Sequence, residues 1–285
     1  MIEAFAAAGG ALAAATGKLF WMAVAFCVLA LCVHGWRGAV AAARRSASET
    51  RVNLVFYLTD AAQVVPLTAA AVAAAHAGLT SAGLALLAPT DWSALPGWAV
   101  LLAAVAASDF AGYWRHRLMH HAALWPAHAV HHSDREMTWL ALARFHPVNR
   151  AVAAAVNVAV LAALGFPMWA VLLNALIRNW YGHFVHADLP WTYGRVWSRV
   201  FVSPVLHRWH HTRDEAQSGR NFSTVFALWD WMFGTWYCPG RHVGALGIEE
   251  PGFPESWAGQ IAWPFRVWIR RWIAGPAIPA RAGPD

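Results

Sequence analysis

Along this chain, long uncharged apolar blocks alternate with blocks rich in arginine and histidine. Residues 1–18 are small and weakly apolar and read as a short helix or tail outside a membrane. Leu19 to Trp36 then runs without charge, close to the roughly 20 residues a membrane-spanning helix needs. Arg37, Arg44, Arg45 and Arg51 follow it, and clustered arginine beside a span marks the cytoplasmic side. Val52 to Trp114 holds no Lys or Arg. It divides into an apolar run to about Ala75, a short run to Ala88 and a last span from about Leu95. Pro89, Asp91, Pro96 and Gly97 supply the turn. An in–out–in hairpin is expected here. Residues 151–177 are again free of Lys and Arg and are broken by Gly165-Phe166-Pro167. Each half is roughly 21 Å long as helix, so this second hairpin, about 151–181, is expected to dip into the bilayer. Near the end, Trp263 to Ile273 alternates Trp and Ile with Arg, the pattern of an amphipathic helix lying on a membrane surface.

The pattern therefore predicts an all-α protein of integral-membrane helical hairpins under a cytoplasmic helical cap. Three regions are expected: membrane spans over 1–104, a histidine-rich core over 105–240 that includes the second hairpin, and a C-terminal tail over 241–285. Composition agrees. The chain is 59% hydrophobic and 13% charged, against about 25% charged in soluble domains. The net charge is +6, but the basic residues sit between apolar blocks rather than on one polar face. Nucleic-acid binding is therefore not expected, and membrane topology accounts for the charge. The alanine-rich, nearly lysine-free composition points to a bacterial cytoplasmic membrane. Cys27, Cys32 and Cys238 form no C-x-x-C pair, so neither a disulfide framework nor a thiolate metal site is indicated. The N-terminus lacks a basic n-region, so a cleaved signal peptide is not expected. No phosphate-binding glycine motif is present.

Histidine changes the picture most. Six of the fifteen histidines fall between His116 and His132. His116 and His120 are four residues apart, and His128, His131 and His132 follow as H-x-x-H-H; His207, His210 and His211 repeat that spacing. Such spacings put imidazoles on one helix face, roughly 5–6 Å apart at Cβ, within reach of a shared metal. His183 and His186 form another i, i+3 pair. These ten residues are the candidate metal ligands, and they exceed what one ion uses, so two metals are expected. His146 is either a ligand or a helix-start contact, and His121 is a candidate for orienting a ligand. His34 and His76 read as interfacial packing, and His242 as solvated. Asp109, and less strongly Asp134 and Asp230, are candidates to accept a ring N–H from a ligand. Imidazole suits iron, zinc, copper and nickel. Two other function classes stay open at this point. A zinc hydrolase would need a carboxylate beside the metal as in H-E-x-x-H, which is absent. A metal or haem carrier would need ligands within the spans, whereas these pairs flank them.

The order H-R-x-x-H (His116–His120), W-x-x-H-x-x-H-H-S (Trp125–Ser133), F-H-P (Phe145–Pro147), H-x-x-L-P (His186–Pro190), S-P-x-x-H-R-x-H-H (Ser203–His211), N-F (Asn221-Phe222) and W-D-x-x-F-G-T (Trp229–Thr235) resembles the fatty acid hydroxylase / sterol desaturase superfamily. The similarity covers roughly residues 105–240. It departs from the family pattern at Asp188, Thr212 and Ser223, none of which removes a candidate ligand. The resemblance implies a membrane-bound, non-haem di-iron oxygenase that hydroxylates or desaturates a C–H bond of a lipid with O2. Electrons would come from a separate carrier, a ferredoxin or a cytochrome b5-like protein with its reductase.

Overall fold

Prolines mark where most of the helices start. A proline at the first helical position costs no hydrogen bond and presets the backbone. In the computed structural model, Pro96 precedes α3 (Gly97–Met119), Pro126 lies in the first turn of α4 (Trp125–His132), and Pro147 opens α5 (Pro147–Ala163). Pro167 precedes α6 (Met168–His186), and Pro204 opens α7 (Pro204–His210), where the Ser203 side chain accepts from the Leu206 N–H. Before these come α1 (Ile2–Arg45) and α2 (Ala47–Thr59); after them come α8 (Leu228–Met232) and α9 (Trp257–Ala274). The structure describes residues 2–64, 74, 77–79, 81–83, 86–87, 90–242 and 244–274. Among them there is no strand beyond one isolated bridge, Thr212 to Leu246. Most of the expected first hairpin's middle, with His76, lies outside the described residues.

Residues 1–18 do not form a separate outer segment. From Ile2 they begin the same helix that carries the first apolar block, the alanine-rich sequence outweighing the cost of Gly9, Gly10 and Gly17 once the downstream turns have nucleated it. Leu12–Arg45 is the one described helix long and apolar enough to cross a membrane, and little of it is buried inside the fold. Its outer face carries Phe20, Trp21, Val28 and Leu31, all exposed. α3 and α6 likewise expose Trp98, Leu102, Trp169 and Leu172. Apolar side chains continue where a water-facing helix would carry charge.

α1 bends at Gly35, whose φ of 66° and ψ of 174° are open to glycine and strained for other residues. α3 packs against both α5 and α6. Val100, Ala104, Leu161, Phe166 and Ala170 fill that contact, where small residues let the backbones approach. The turn between α5 and α6 falls at Gly165 (φ 61°), as the Gly-Phe-Pro break predicts. α9 covers the expected amphipathic stretch and extends it toward the N-terminus. It is held by Trp263 against Trp125 and Ala129, and by the Trp268 indole N–H on the Ala123 carbonyl. Phe265, Ile269, Trp272 and Ile273 remain exposed along it.

A buried charged network ties α2 to the helix-poor stretch after α4. Arg144, 1% exposed, donates to Glu49 Oε2 at 2.6 Å, to Asn53 Oδ1 at 2.6 Å and to Ser133 Oγ at 3.2 Å. Asn53 in turn donates to Asp134 Oδ2 at 2.7 Å. Each charge removed from water therefore has a partner, which is the condition for burying it at all.

Candidate metal centre

Four helix ends carry the histidines. α3 ends in His116 with His120 as its cap residue, α4 holds His128, His131 and His132, α6 ends in His183 and His186, and α7 holds His207 and His210 with His211 capping it. Nine of the ten candidates come together in two groups. One is His116, His120, His128, His132 and His210; the other is His131, His186, His207 and His211, with the ring nitrogens of each group within 4.8 Å of one another. The two H-x-x-H-H boxes interlock. Residues four apart share a stripe on a helix, while the residue three along turns to the other side of it. So His128 and His132 stay together and His131 crosses over, whereas His207 and His211 stay together and His210 crosses back.

The ring orientations test whether a metal fits. His116 Nδ1 lies 2.7 Å from the Phe222 carbonyl and His210 Nδ1 lies 2.6 Å from the Arg220 carbonyl. A carbonyl only accepts, so each Nδ1 carries the proton and each Nε2 is a bare lone pair. Those two lone pairs nevertheless face each other at 3.0 Å, an arrangement that a shared metal cation would satisfy. In the second group His186 Nδ1 is held 2.6 Å from the Gly182 carbonyl, and its Nε2 faces His207 Nε2 at 3.1 Å and His131 Nε2 at 3.3 Å. His211 is 1% exposed with neither ring nitrogen hydrogen-bonded. A buried imidazole without partners is costly unless a metal takes its lone pair. The donor set fits a metal in both groups.

Burial, with neighbouring imidazoles adding to it, holds His116, His128, His131, His132, His207 and His211 well below the ordinary histidine pKa. Burial also takes His186 to about 4 and His210 to about 3, against the opposing pull of their carbonyl partners. All are neutral at pH 7, the form that ligates. The unfolded chain binds protons near pH 6.5, whereas folded His186 and His210 do so only near 4 and 3, so stability is full above 6.5 and falls as the pH drops through that window. Metal-stripped protein is therefore expected to begin losing helical circular dichroism below pH 6.5. A transition centred below pH 4 would contradict it.

Several expectations change. His183 stands outside both groups, with Nδ1 donating to the Trp139 carbonyl at 2.8 Å. It lies one turn before His186 and faces the Trp139–Ala143 turn instead. His121 is exposed and only accepts from the Ala123 N–H. His146 is a helix-start residue, its Nδ1 accepting from Val148 N at 3.2 Å and its Nε2 bonded to the Ile261 carbonyl. His242 is buried against Trp209 rather than solvated, and His34 bonds the Asp188 carbonyl at 2.7 Å.

No candidate carboxylate holds a ring. Asp109 accepts from the Val225 and Phe226 N–H groups, 3.1 and 2.8 Å away, and Arg178 lies 3.7 Å from it. Asp230 accepts from Phe222 N, Ser223 N and the Thr235 hydroxyl, which fixes the loop whose carbonyl orients His116. Asp134 braces the turn after α4 through the Glu136 and Met137 N–H groups. Backbone carbonyls do the orienting, and sequence carries no mark of which ones. The other residue missed is Asn149, 1% exposed, whose amide lies 3.1 Å from His128 Nδ1.

Residues 101–235 match the family model described as fatty acid hydroxylase. The chain is 31% identical over 192 residues to ornithine lipid hydroxylase OlsE of Rhizobium tropici, an alignment covering 66% of this chain and 56% of that protein. It is 28% identical to alkylglycerol monooxygenase of Danio rerio, over 58% of this chain and 36% of that protein. It is 28% identical to methylsterol monooxygenase 2-1 of Arabidopsis thaliana, over 50% of this chain and 58% of that protein. The chain thus spans less than two thirds of each of these relatives. No solved structure matches it.

Proposed function

Because the chain belongs to the fatty acid hydroxylase superfamily, we propose that it is a membrane-bound non-haem di-iron oxygenase that hydroxylates a C–H bond of a lipid. The observation that carries this reading is the pair of buried, all-imidazole groups whose Nε2 lone pairs converge. His116, His120, His128, His132 and His210 would hold one iron, and His131, His186, His207 and His211 the other. Bound iron would supply reductive activation of O2 and oxidation of an unactivated C–H bond. The net reaction is R–H + O2 + 2e⁻ + 2H⁺ → R–OH + H2O, with the electrons delivered by a separate carrier such as a ferredoxin or a cytochrome b5-like protein. The relatives named as hydroxylase and monooxygenases favour hydroxylation over desaturation.

The protein's own part is preorganisation. The Phe222, Arg220 and Gly182 carbonyls fix three rings in one tautomer, and the Asp230 carboxylate fixes the loop that carries the first of these carbonyls. The closed packing of nine buried or half-buried rings keeps water from the reacting centre. Arginines at 37, 44, 45 and 51, which follow the uncharged part of α1, support a reading in which the histidine groups face the cytoplasmic side of a bacterial membrane.

Cells expressing the chain under 18O2 are expected to accumulate a lipid heavier by one 18O atom, and the purified protein to hold two irons. Unlabelled, unchanged lipids alongside iron-loaded protein would sink the oxygenase reading, and one zinc per chain would favour a hydrolase.

A further inference from the structure

A cavity of about 600 Å³ opens between α1 and the wall formed by Thr138–Leu140 and Ala187–Leu189. Residues before and after the Gly35 bend both line it, Cys27 and Ala30 on one side and Val40 and Ala43 on the other. The bend therefore makes the concavity. We propose that this cavity holds the hydrocarbon chain of the lipid substrate, packed against the Trp139 ring and the Ala187–Leu189 segment that follows His186. The inference rests on the proposed oxygenase reading and adds where its substrate lies.

Three observations support an alkyl chain as the occupant. The lining is almost wholly apolar, and its volume falls within the roughly 300–1,000 Å³ of ordinary ligand sites. Two of its polar groups are already engaged: His34 bonds the Asp188 carbonyl, and the Asp188 carboxylate accepts from Arg208 at 3.0 Å. A polar headgroup would have to break those bonds, whereas methylenes leave them intact. Finally, the cavity reaches the end of α6 that carries His186, because Ala187, which lines it, directly follows His186. Phe26 and Trp139, both lining it, stack with ring centroids 5.1 Å apart, and the Trp139 ring lies 6.0 Å from that of His183.

Cys27 gives a direct readout, since it lines the cavity and is exposed. In the full, iron-loaded chain with Cys32→Ser and Cys238→Ser, maleimide labelling of Cys27 is followed in a steroid-based detergent. Saturating 1-O-hexadecylglycerol is expected to slow labelling about tenfold or more, while glycerol has no effect. In a further variant, Ala30→Trp, labelling is expected to be slow from the start and insensitive to the lipid. An unchanged rate with the alkyl lipid present, in protein that retains its iron, overturns the proposal. The readout needs no turnover. Protection without 18O-labelled product would therefore leave the cavity assignment standing while the oxygenase reading falls, and labelled product without protection would do the reverse.

Discussion

Alanine at His210 is expected to abolish lipid hydroxylation although His210 belongs to the α7 box and its metal group is built mostly from α3 and α4. Its Nε2 faces His116 Nε2 at 3.0 Å, and its ring lies 4.6 Å from that of His132. Removing it opens the first group while leaving His207 and His211 in the second. Loss of a group that merely orients a ligand costs about 10–100-fold, so loss of a direct ligand is expected to cost more than a hundredfold in turnover. The bound iron should fall toward one per chain, and helical circular dichroism should persist. The mirror variant, His131→Ala, should do the same to the second group. His183→Ala is the contrast: it lies outside both groups, so iron content should stay at two and activity fall by less than tenfold. Equal iron loss in all three variants would show that the division into two groups is wrong.

Replacing Arg144 by alanine is expected to be the most destabilising single change outside the histidines. The guanidinium is 1% exposed and carries Glu49, Asn53 and Ser133 at once, with Asp134 Oδ2 3.8 Å away. Breaking a buried pair by removing one partner costs about 3–5 kcal/mol, because the other charge stays buried and unpaired. Thermal unfolding of the detergent-solubilised protein should shift down by many degrees. Removing the opposing charge as well, in Arg144→Met with Glu49→Met, should recover part of that loss. If the double variant is no more stable than the single one, the network's cost lies elsewhere. Ser133 and Asp134 directly follow His132, so the same substitution is also expected to loosen iron in the first group.

How much of this was legible in advance differs by element. The turn read at Pro96-Gly97 and the break read at Gly165-Phe166-Pro167 fall at the starts of α3 and α6, because a fixed φ and a missing N–H act locally. Histidine spacing picked out all nine rings that cluster, because i, i+4 adjacency is a property of one helix. The same spacing misplaced His183, since which face of α6 meets the other helices is set by packing. Asp109 was a candidate to accept a ring N–H from a ligand, but the chain beyond Asn221 folds back and places two backbone N–H groups on its carboxylate. His242, read as solvated from its glycine-rich surroundings, is covered because the chain after Gly240 packs over Trp209.

By itself, then, the sequence determined the helical class of the described residues, the apolar first helix and the nine histidines that cluster, all of which depend on neighbours within a few residues. Tertiary structure alone decided how those side chains divide into two groups, which carbonyls fix their tautomers, and that Arg144 meets Glu49 across 95 residues of chain. The physical reason is range. Helix periodicity acts over one turn, but a crossed pair such as His131 and His210 exists only once α4 and α7 have been brought face to face.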